Sequence, residues 1–503
     1  MSSFDALGLR NRRAIRLESV PRVEPAEFRE TVVEAARDGW RVVAFFGTPE
    51  PPGQVLLMAI LAKDERGNLG AISTTVRERY RALTPDCQQV HLFEREIAEQ
   101  CGVVPRDHPS LKPVRRHPAD HALPAATPVS IDREAYPFFQ IQGEEVHEVA
   151  VGPVHAGIIE PGHFRFQAHG EEVLFLEIML GYQHRGVERL LETRSWPEAV
   201  LVAESIAGDT VIGHASAACG AIEALARCRK TPRAQTIRGI ALELERLANH
   251  IGDLGAIAGD IAYQPAASYF GRMRGDCLNL LMMLTGNRYG RGLIRPGGAA
   301  FDIPPAMAEE MCARLETLGK ELAPVGRLLL ENASVQARLE GVGVVPHQDC
   351  IDLGLVGVTA RACEVPRDVR HDHPYGLFRF AHIPVATAWA GDVLARTLVR
   401  WLEVQRSLEF VVEQLGALPR GNSRVPCGAL RPDELAVALE EGWRGEIAHI
   451  ILTDATGGVR RHKVVDPSFH NWSALAAAMP GNQISDFPLC NKSFNLSYAG
   501  HDL

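Results

Sequence analysis

Hydrophobic and polar positions in the first 117 residues alternate between a helical and a strand-like period. The stretch EPAEFRETVVEAARDGW has the three- and four-residue apolar spacing of an amphipathic helix. RVVAFFGT and QVLLMAILAKD follow with apolar runs of strand length, and FEREIAEQCG returns to a helical pattern. The pattern predicts a small α/β domain over residues 1–117.

Beyond residue 117, the composition and the apolar pattern of the chain change twice. Residues 118–136 are rich in proline and alanine and have too little apolar content to fold alone, which predicts a linker. Residues 137–503 begin with strand-like segments such as HFRFQAHGEEVLFLEI and then become mainly helical. The predicted fold class is therefore α+β: a small N-terminal α/β domain and a large, mainly helical domain that opens with a β-sheet.

Two helices stand out in the large domain. TIRGIALELERLANHIGDLGAIAGDIAY carries one apolar stripe, and its charged residues lie off that stripe: Glu243, Glu245, Arg246 and Asp253. The stripe predicts a helix whose apolar face packs into a core. MRGDCLNLLMMLTG is apolar almost all round, which predicts burial inside a helical bundle.

Composition narrows the range of functions. The 503 residues are 46% hydrophobic and 23% charged, with a net charge of −9, which is typical of a soluble multidomain protein and argues against non-specific nucleic-acid binding. No apolar run reaches membrane-spanning length and no secretory signal is evident, so we expect a cytoplasmic protein. The ten cysteines are scattered singly without any CxxC, which excludes a disulfide framework.

Common nucleotide and metal motifs are missing. There is no GxGxxG after a strand, no GxxxxGK[ST], and no HExxH, since HEVAV at His147 lacks the second histidine. The residues alone therefore predict no phosphate-binding loop and no metal site.

Several stretches rich in glycine, histidine and arginine follow one another in a specific order: GPVHAGIIEPGHFR, GYQHRGVERLLE, LELERLANHIGDLG, LIRPGG and SDFPLCNKSFNLSYAG. In this order the chain resembles the large subunit of energy-converting, group 4 [NiFe] hydrogenases, equivalent to the 49 kDa subunit of complex I. LFEREIAEQCGVVPRDHPSLKPVRR resembles the complex I 30 kDa subunit. A fusion of the two is the arrangement of formate hydrogenlyase and hydrogenase-4 large subunits.

The chain departs from that family at the metal ligands. The family binds nickel and iron through two CxxC pairs, and the corresponding stretches here are ESIAGDTVIGH and NLSYAG. The ligand positions are therefore Ala207, Thr210, Ser497 and Gly500. None is a thiolate, the soft ligand that suits these metals, so we expect no NiFe centre.

The resemblance also implies which residues line the old metal cavity. Glu160 matches a glutamate that exchanges protons beside the metal, although a surface glutamate in a hairpin is the competing interpretation. Arg444 resembles an arginine of the cavity wall. We expect Glu160, His155 and Arg444 to line the cavity, with further candidates His163, His184, Arg185, Asp368 and Arg370.

The function implied is that of a metal-free large subunit in a membrane-associated, complex I-like oxidoreductase that resembles NADH:quinone oxidoreductase or a hydrogenase. It would bind no cofactor itself, take electrons from a [4Fe-4S] cluster in a small subunit resembling the complex I 20 kDa subunit, and couple their transfer to ion translocation by antiporter-like membrane subunits. A dehydrogenase module is the candidate donor, and a quinone or another molecule the acceptor.

Quinone binding would need a different lining from that of complex I, because its quinone ligands align with Pro161 and Gly208, which have no side-chain donor. The protein would lie peripherally on the cytoplasmic face of the inner membrane. The alternatives are a non-catalytic scaffold, with the cavity closed by the apolar run Phe487 to Tyr498, and a hydrogenase with unusual ligands.

Overall fold

The computed structural model describes residues 7–51, 53–115 and 136–503. The predicted linker, 118–136, lies outside the described residues except for Tyr136. The strands in chain order are β1 Ala14–Arg16, β2 Arg41–Glu50, β3 Gln54–Lys63, β4 Asn68–Val76, β5 Arg79–Arg81, β6 Val104–Arg106, β7 Val146–Val151, β8 His163–His169, β9 Glu172–Met179, β10 Ile294–Arg295, β11 Gly298–Ala299, β12 Glu434–Gly442, β13 Gly445–Thr453 and β14 Val459–Val465.

The α-helices in chain order are α1 Pro25–Arg37, α2 His91–Cys101, α3 Val187–Thr193, α4 Trp196–Ala203, α5 Val211–Leu225, α6 Pro232–Asp260, α7 Gln264–Thr285, α8 Pro305–Leu330, α9 Ala333–Leu339, α10 His347–Asp352, α11 Gly357–Ala362, α12 Val369–Asp372, α13 Val393–Gly416, α14 Pro467–Ala478, α15 Phe487–Phe494 and α16 Tyr498–Asp502. Helices and sheets together give the α+β class that the sequence predicts.

The N-terminal part contains the helices and strands that the pattern predicts. β2, β3 and β4 form an antiparallel sheet, against which α1 and α2 pack. Phe28 of α1 lies 5.7 Å from Phe45 of β2, ring centroid to ring centroid, and both are buried. Because the three strands are antiparallel, this part is itself α+β and not the α/β unit expected.

The N-terminal segment also joins the sheet of the large part. β1 pairs with β12, and the sheet continues through β13 and β14, all antiparallel. Lys463 of β14 is buried against Glu96 of α2, with an Nζ–Oε1 distance of 2.7 Å. Strand pairing and a buried ion pair therefore join the N-terminal part to the large part of the chain.

The large part begins with the predicted sheet, β7–β8–β9, and continues into long helices. α6 packs on α7 and α13, and α8 packs on the same two helices. Because neighbours cover α6 on several sides, the charged residues off its apolar stripe are buried too. The expectation for MRGDCLNLLMMLTG was wrong in one respect: α7 is buried on one face, and Met282 on the other is 43% exposed.

The C-terminal segment is buried, as the apolar run predicts. Phe487, Leu489, Phe494, Leu496 and Tyr498 are each at most 3% exposed. Phe487 contacts Phe164 and Phe166 of β8, so the segment fills the space between the β7–β9 sheet and the helices. Among the helices of the described part of the chain, none is both long and apolar enough to cross a membrane.

Candidate functional site

The loop before α5 and the C-terminal segment meet at one place. Arg185 donates from Nη2 to the carbonyl of Ile206 at 2.8 Å and to that of Ala499 at 3.4 Å. These carbonyls belong to the residues beside Ala207 and Gly500. Arg444 makes a second link, since it donates to Thr210 Oγ1 at 3.1 Å and to the Asn495 carbonyl at 2.5 Å. The fold therefore places the loop that contains Ala207 and Thr210 against the C-terminal segment that contains Ser497 and Gly500.

The residues at those positions do not fit a thiolate-bound NiFe centre. Ala207 and Gly500 have no ligand atom, and the other two hydroxyl groups are engaged elsewhere. Thr210 Oγ1 accepts from Trp443 Nε1 at 3.1 Å, and Ser497 Oγ accepts from the Gly500 N–H at 2.8 Å. Within the described residues, no group of three histidine, cysteine or acidic side chains is arranged to hold a metal ion.

Asp466 occupies the space that a fourth ligand would need. A Cβ atom built on Gly500 would lie 2.6 Å from the Asp466 carboxylate, closer than real Cβ contacts allow. Asp466 is held there because it also caps α14, accepting from the Ser468 N–H at 2.8 Å. A cysteine side chain at position 500 would therefore require the carboxylate to move.

A bidentate ion pair crosses the site. Arg444 donates from Nη1 and Nη2 to the two carboxylate oxygens of Asp209, at 2.6 and 2.8 Å, and its guanidinium lies 3.8 Å from the centroid of the Trp443 ring. Burial works to raise the pKa of Asp209, but the Arg444 charge and the hydrogen bonds from Arg444 and Thr210 together outweigh it, and the pKa lies below its ordinary value. The pair fixes the loop before α5 to the β12–β13 turn.

Glu160 lies beside this pair and touches the C-terminal segment. Its Oε2 accepts from Gln183 Nε2 at 2.6 Å and from the Ala499 N–H at 3.2 Å. Burial raises the pKa of Glu160, although both hydrogen bonds and Arg444 oppose the shift. A partly buried carboxyl group with a raised pKa can exchange a proton more readily near neutral pH.

His184 and Arg185 hold the C-terminal segment in place. His184 Nδ1 lies 2.8 Å from the Asp502 carbonyl, and the Arg185 N–H donates to the Leu503 carbonyl at 2.7 Å. Burial lowers the pKa of the Arg185 guanidinium, while the charges of Glu160 and Asp502 oppose the shift. Both residues therefore belong to the wall of the site.

The other predicted histidines are placed differently. His155 is exposed, and its Nδ1 accepts from the Gly157 N–H at 2.9 Å within its own loop, so the structure does not bring it to Glu160 and Arg444. His163 is buried at the start of β8, where its ring stacks near Phe138 and its Nε2 accepts from Arg165 Nε at 3.3 Å. Burial lowers the pKa of His163.

Asp368 and Arg370 lie in a separate buried ionic network. Arg370 pairs with Asp368 at 2.6 Å and with Glu243 of α6 at 3.0 Å. From Glu243 the network continues through Arg246 to Glu403 of α13. These side chains tie α12 to α6, and their place in the cavity wall stays a prediction.

A chain of three buried histidines leads away from Asp466, and sequence reasoning missed it. His214 Nε2 lies 3.0 Å from Asp466 Oδ2, and the next two ring contacts, His214 to His449 and His449 to His462, measure 3.3 and 2.9 Å between nitrogens. All three rings are at most 1% exposed. Burial lowers the pKa of His449, and it lowers that of His462 to about 3, so these two imidazoles are neutral.

The sequence held only a weak signal for this chain. His214 closes the ESIAGDTVIGH stretch, but its partners lie more than 200 residues away on β13 and β14. The ring-to-ring contacts end at His462, whose backbone N–H donates to Glu192 at 3.1 Å, and the Glu192 side chain is 25% exposed. Linked imidazoles can pass a proton from one ring nitrogen to the next, so the arrangement connects Asp466 with the His462 ring on β14.

Comparison with known proteins adds independent information. Residues 260–429 match the family described as respiratory-chain NADH dehydrogenase, 49 Kd subunit. The chain is 30% identical to the carbon monoxide-induced hydrogenase of Rhodospirillum rubrum, over 69% of this chain and 97% of that protein. It is 28% identical to formate hydrogenlyase subunit 5 of Escherichia coli (strain K12), over 85% of this chain and 77% of the relative.

A solved structure with a similar fold is the membrane-bound sulfane sulfur reductase, an archaeal respiratory membrane complex. The two chains share 25% identity with a TM-score of 0.67, and the match covers 71% of this chain and 99% of the other. The similarity therefore extends over one complete subunit of that complex.

Proposed function

The chain belongs to the family that unites the large subunits of group 4 membrane-bound [NiFe] hydrogenases with the 49 kDa subunit of complex I, and from this premise we propose that it is a metal-free large subunit of a complex I-like oxidoreductase. Electrons would come from a [4Fe-4S] cluster in a small partner subunit and pass to a quinone or another acceptor. Antiporter-like membrane subunits would use the energy to move ions. The protein would lie peripherally on the cytoplasmic face of the membrane, with its N-terminal part acting as the complex I 30 kDa equivalent.

One observation carries this proposal. Where the family would place its four thiolate ligands, this chain has none, and connected polar side chains lie there instead. Asp466 stands against Gly500, and the Arg444–Asp209 pair spans the loops that would carry the ligands. Soft sulfur ligands are what bind nickel with low-spin iron, and hard carboxylates and hydroxyls are poor substitutes. The charged side chains at this position favour a role in proton handling over a role in metal binding.

The site's own residues suggest how protons would move. Glu160, with its raised pKa, would exchange a proton with the site when an electron arrives nearby. Asp466 would receive or supply protons through His214, His449 and His462. Arg444 would balance the negative charge of the site through its pair with Asp209. The charge at the site could then influence neighbouring subunits without a resident metal.

The alternative function is that of a non-catalytic scaffold. The observation in its favour is the close packing of the C-terminal segment, with Tyr498 1% exposed and Glu160 bonded to the Ala499 backbone. On this view the subunit only holds the cluster-bearing subunit on the membrane arm.

Replacing Glu160 by glutamine in the intact membrane complex discriminates between the two functions. Glutamine keeps the shape and one hydrogen-bond acceptor but cannot exchange a proton. Proton handling predicts that turnover and ion translocation fall by at least about tenfold, given the usual size of acid–base contributions. The matched control is Glu172→Gln, at an exposed carboxylate of β9, which should change neither. Unchanged turnover and translocation in the Glu160→Gln complex would favour the scaffold.

A further inference from the structure

A large cavity lies where the N-terminal segment, the sheet β2–β4 and the large part of the chain meet. Its volume is about 620 Å³, and it is bounded by residues 10–13, the turn 64–67 between β3 and β4, and residues 371–376 with Arg379. We call it the cationic cavity, after Arg10, Arg13, Arg66, Lys230 and Arg379 in its lining. It shares no lining residue with the site around Glu160 and Arg444.

The charges of this cavity are unbalanced. Six lysine and arginine side chains line it against three acidic ones, in a chain whose net charge is −9. Two of the six, Arg12 and Lys230, form ion pairs with Glu440 and Glu223, which lie outside the lining. Asp64, one of the three, is already engaged by Arg41, Arg367 and His373, each at 3.0 Å. Within residues 7–51, 53–115 and 136–503, no ion pair involves Arg13, Arg66 or Arg379. These exposed guanidinium groups therefore retain their full positive charge.

The walls of the cavity are held by specific hydrogen bonds. Asn11 Nδ2 donates to the His373 carbonyl at 2.9 Å and to the Leu439 carbonyl at 3.2 Å. Arg10 Nη1 donates to the Gly67 carbonyl at 2.6 Å, which fastens the N-terminal segment to the β3–β4 turn. Arg12 is fixed by an ion pair with Glu440 and by its position 4.0 Å above the Tyr375 ring. The arginines thus project from a backbone that is already ordered.

We propose that the cationic cavity binds a small anion carrying two or more phosphate groups. Guanidinium groups present parallel N–H donors that match phosphate oxygens, and they keep their charge at any physiological pH. A phosphate monoester carries a charge of about −1.5 to −2 at neutral pH, so two phosphates offset the charges of three to four arginines. A ligand here would contact the N-terminal segment, the β3–β4 turn and the 371–379 segment together, and would fasten them to one another.

The test is isothermal titration of the full-length protein with pyrophosphate, followed by ATP and citrate. The double variant Arg13→Ala/Arg66→Ala should weaken pyrophosphate binding at least about tenfold, equivalent to about 1.4 kcal/mol. Glu65→Gln removes an exposed negative charge from the rim and should strengthen binding, a gain that misfolding cannot produce. The matched control, Arg291→Ala/Arg420→Ala, removes the same charge from exposed arginines outside the cavity and should change affinity less than twofold.

Each result of the titration either supports the proposal or overturns it. Pyrophosphate binding that is lost in the cavity variant, kept in the control and improved by Glu65→Gln supports the proposal. Absence of pyrophosphate binding, equal weakening in the control variant, or a preference for citrate over pyrophosphate would overturn it. Because the titration needs neither electron transfer nor partner subunits, its result is independent of the function proposed above.

Discussion

The ion pair between Arg444 and Asp209 gives the sharpest quantitative prediction for the site. The variant Arg444→Gln removes two charge-assisted hydrogen bonds to Asp209, one to Thr210 and one to the Asn495 carbonyl. Breaking a buried pair costs about 3–5 kcal/mol, because the remaining charge is left without its partner. The Asp209 side chain is 31% exposed, and water therefore recovers part of this loss. We expect a destabilisation of about 2–3 kcal/mol.

A double-mutant cycle isolates the pair. Asp209→Asn alone leaves the Arg444 charge without its partner, whereas Arg444→Gln/Asp209→Asn leaves no unpaired charge. The double variant should therefore lose less stability than the two single variants lose together. The coupling energy should be about 1.5 kcal/mol. Trp443 lies against the guanidinium, and tryptophan fluorescence during urea unfolding of the full-length protein is therefore the appropriate assay.

The pH dependence of the coupling provides a second check. The folded pKa of Asp209 lies below its ordinary value of 3.8. Its contribution to stability is therefore complete above that ordinary value and disappears as the pH falls through the lower folded pKa. Additive single variants, or a coupling that persists in strong acid, would refute the reasoning.

Three further predictions concern the surroundings of the site. His449→Gln should interrupt the imidazole chain and slow ion translocation by the intact complex at least about tenfold. His470→Gln, at a buried histidine outside the chain, should leave the rate of translocation unchanged. Equal effects of the two variants would contradict a relay. Burial raises the pKa of Glu245 to about 8, so the contribution of Glu245 to stability should be largest below the ordinary value of 4.5 and should fall by about 5 kcal/mol as the pH rises to 8. In urea unfolding across this range, Glu245→Gln should remove this part of the pH dependence of stability, and a pH dependence equal to that of the unchanged protein would contradict the assignment. Phe487→Ala should destabilise the protein by about 3–5 kcal/mol through the cavity it leaves beside Phe164 and Phe166. A decrease in the free energy of unfolding below about 1 kcal/mol, measured by thermal unfolding, would show that the C-terminal segment is not packed as described.

Local patterns predicted much of the fold. α1, β2 and β3 follow directly from apolar spacing, and so does the buried stripe of α6. The burial of the C-terminal segment followed from its composition. These features depend on residues that are a few positions apart in the sequence, and the spacing of apolar residues reveals contacts of that range.

Long-range relationships were not predictable in the same way. The pairing of β1 with β12 joins residues more than 400 positions apart. The burial of the charged residues of α6 was not predicted, because a helical pattern cannot reveal that neighbours cover the second face. Their arginine and glutamate partners on α12 and α13 become apparent only in three dimensions.

The residues of the candidate site were also predictable only in part. In the structure, Glu160 and Arg444 both contact the C-terminal segment. The resemblance assigned them and the positions Ala207, Thr210, Ser497 and Gly500 to a former metal cavity, and this assignment stays a prediction. It did not identify Asp466 or the histidine chain, whose members lie on separate strands and helices. His155 lies in the same loop as Glu160 and is exposed, and its place in the cavity stays a prediction.

Metal analysis of the intact complex tests the central claim most directly. The complex should be purified from cells grown with added nickel, next to a [NiFe] hydrogenase prepared from the same medium. We expect iron and acid-labile sulfide from the partner's cluster, with nickel at background level. Nickel in a one-to-one ratio with this subunit would contradict it.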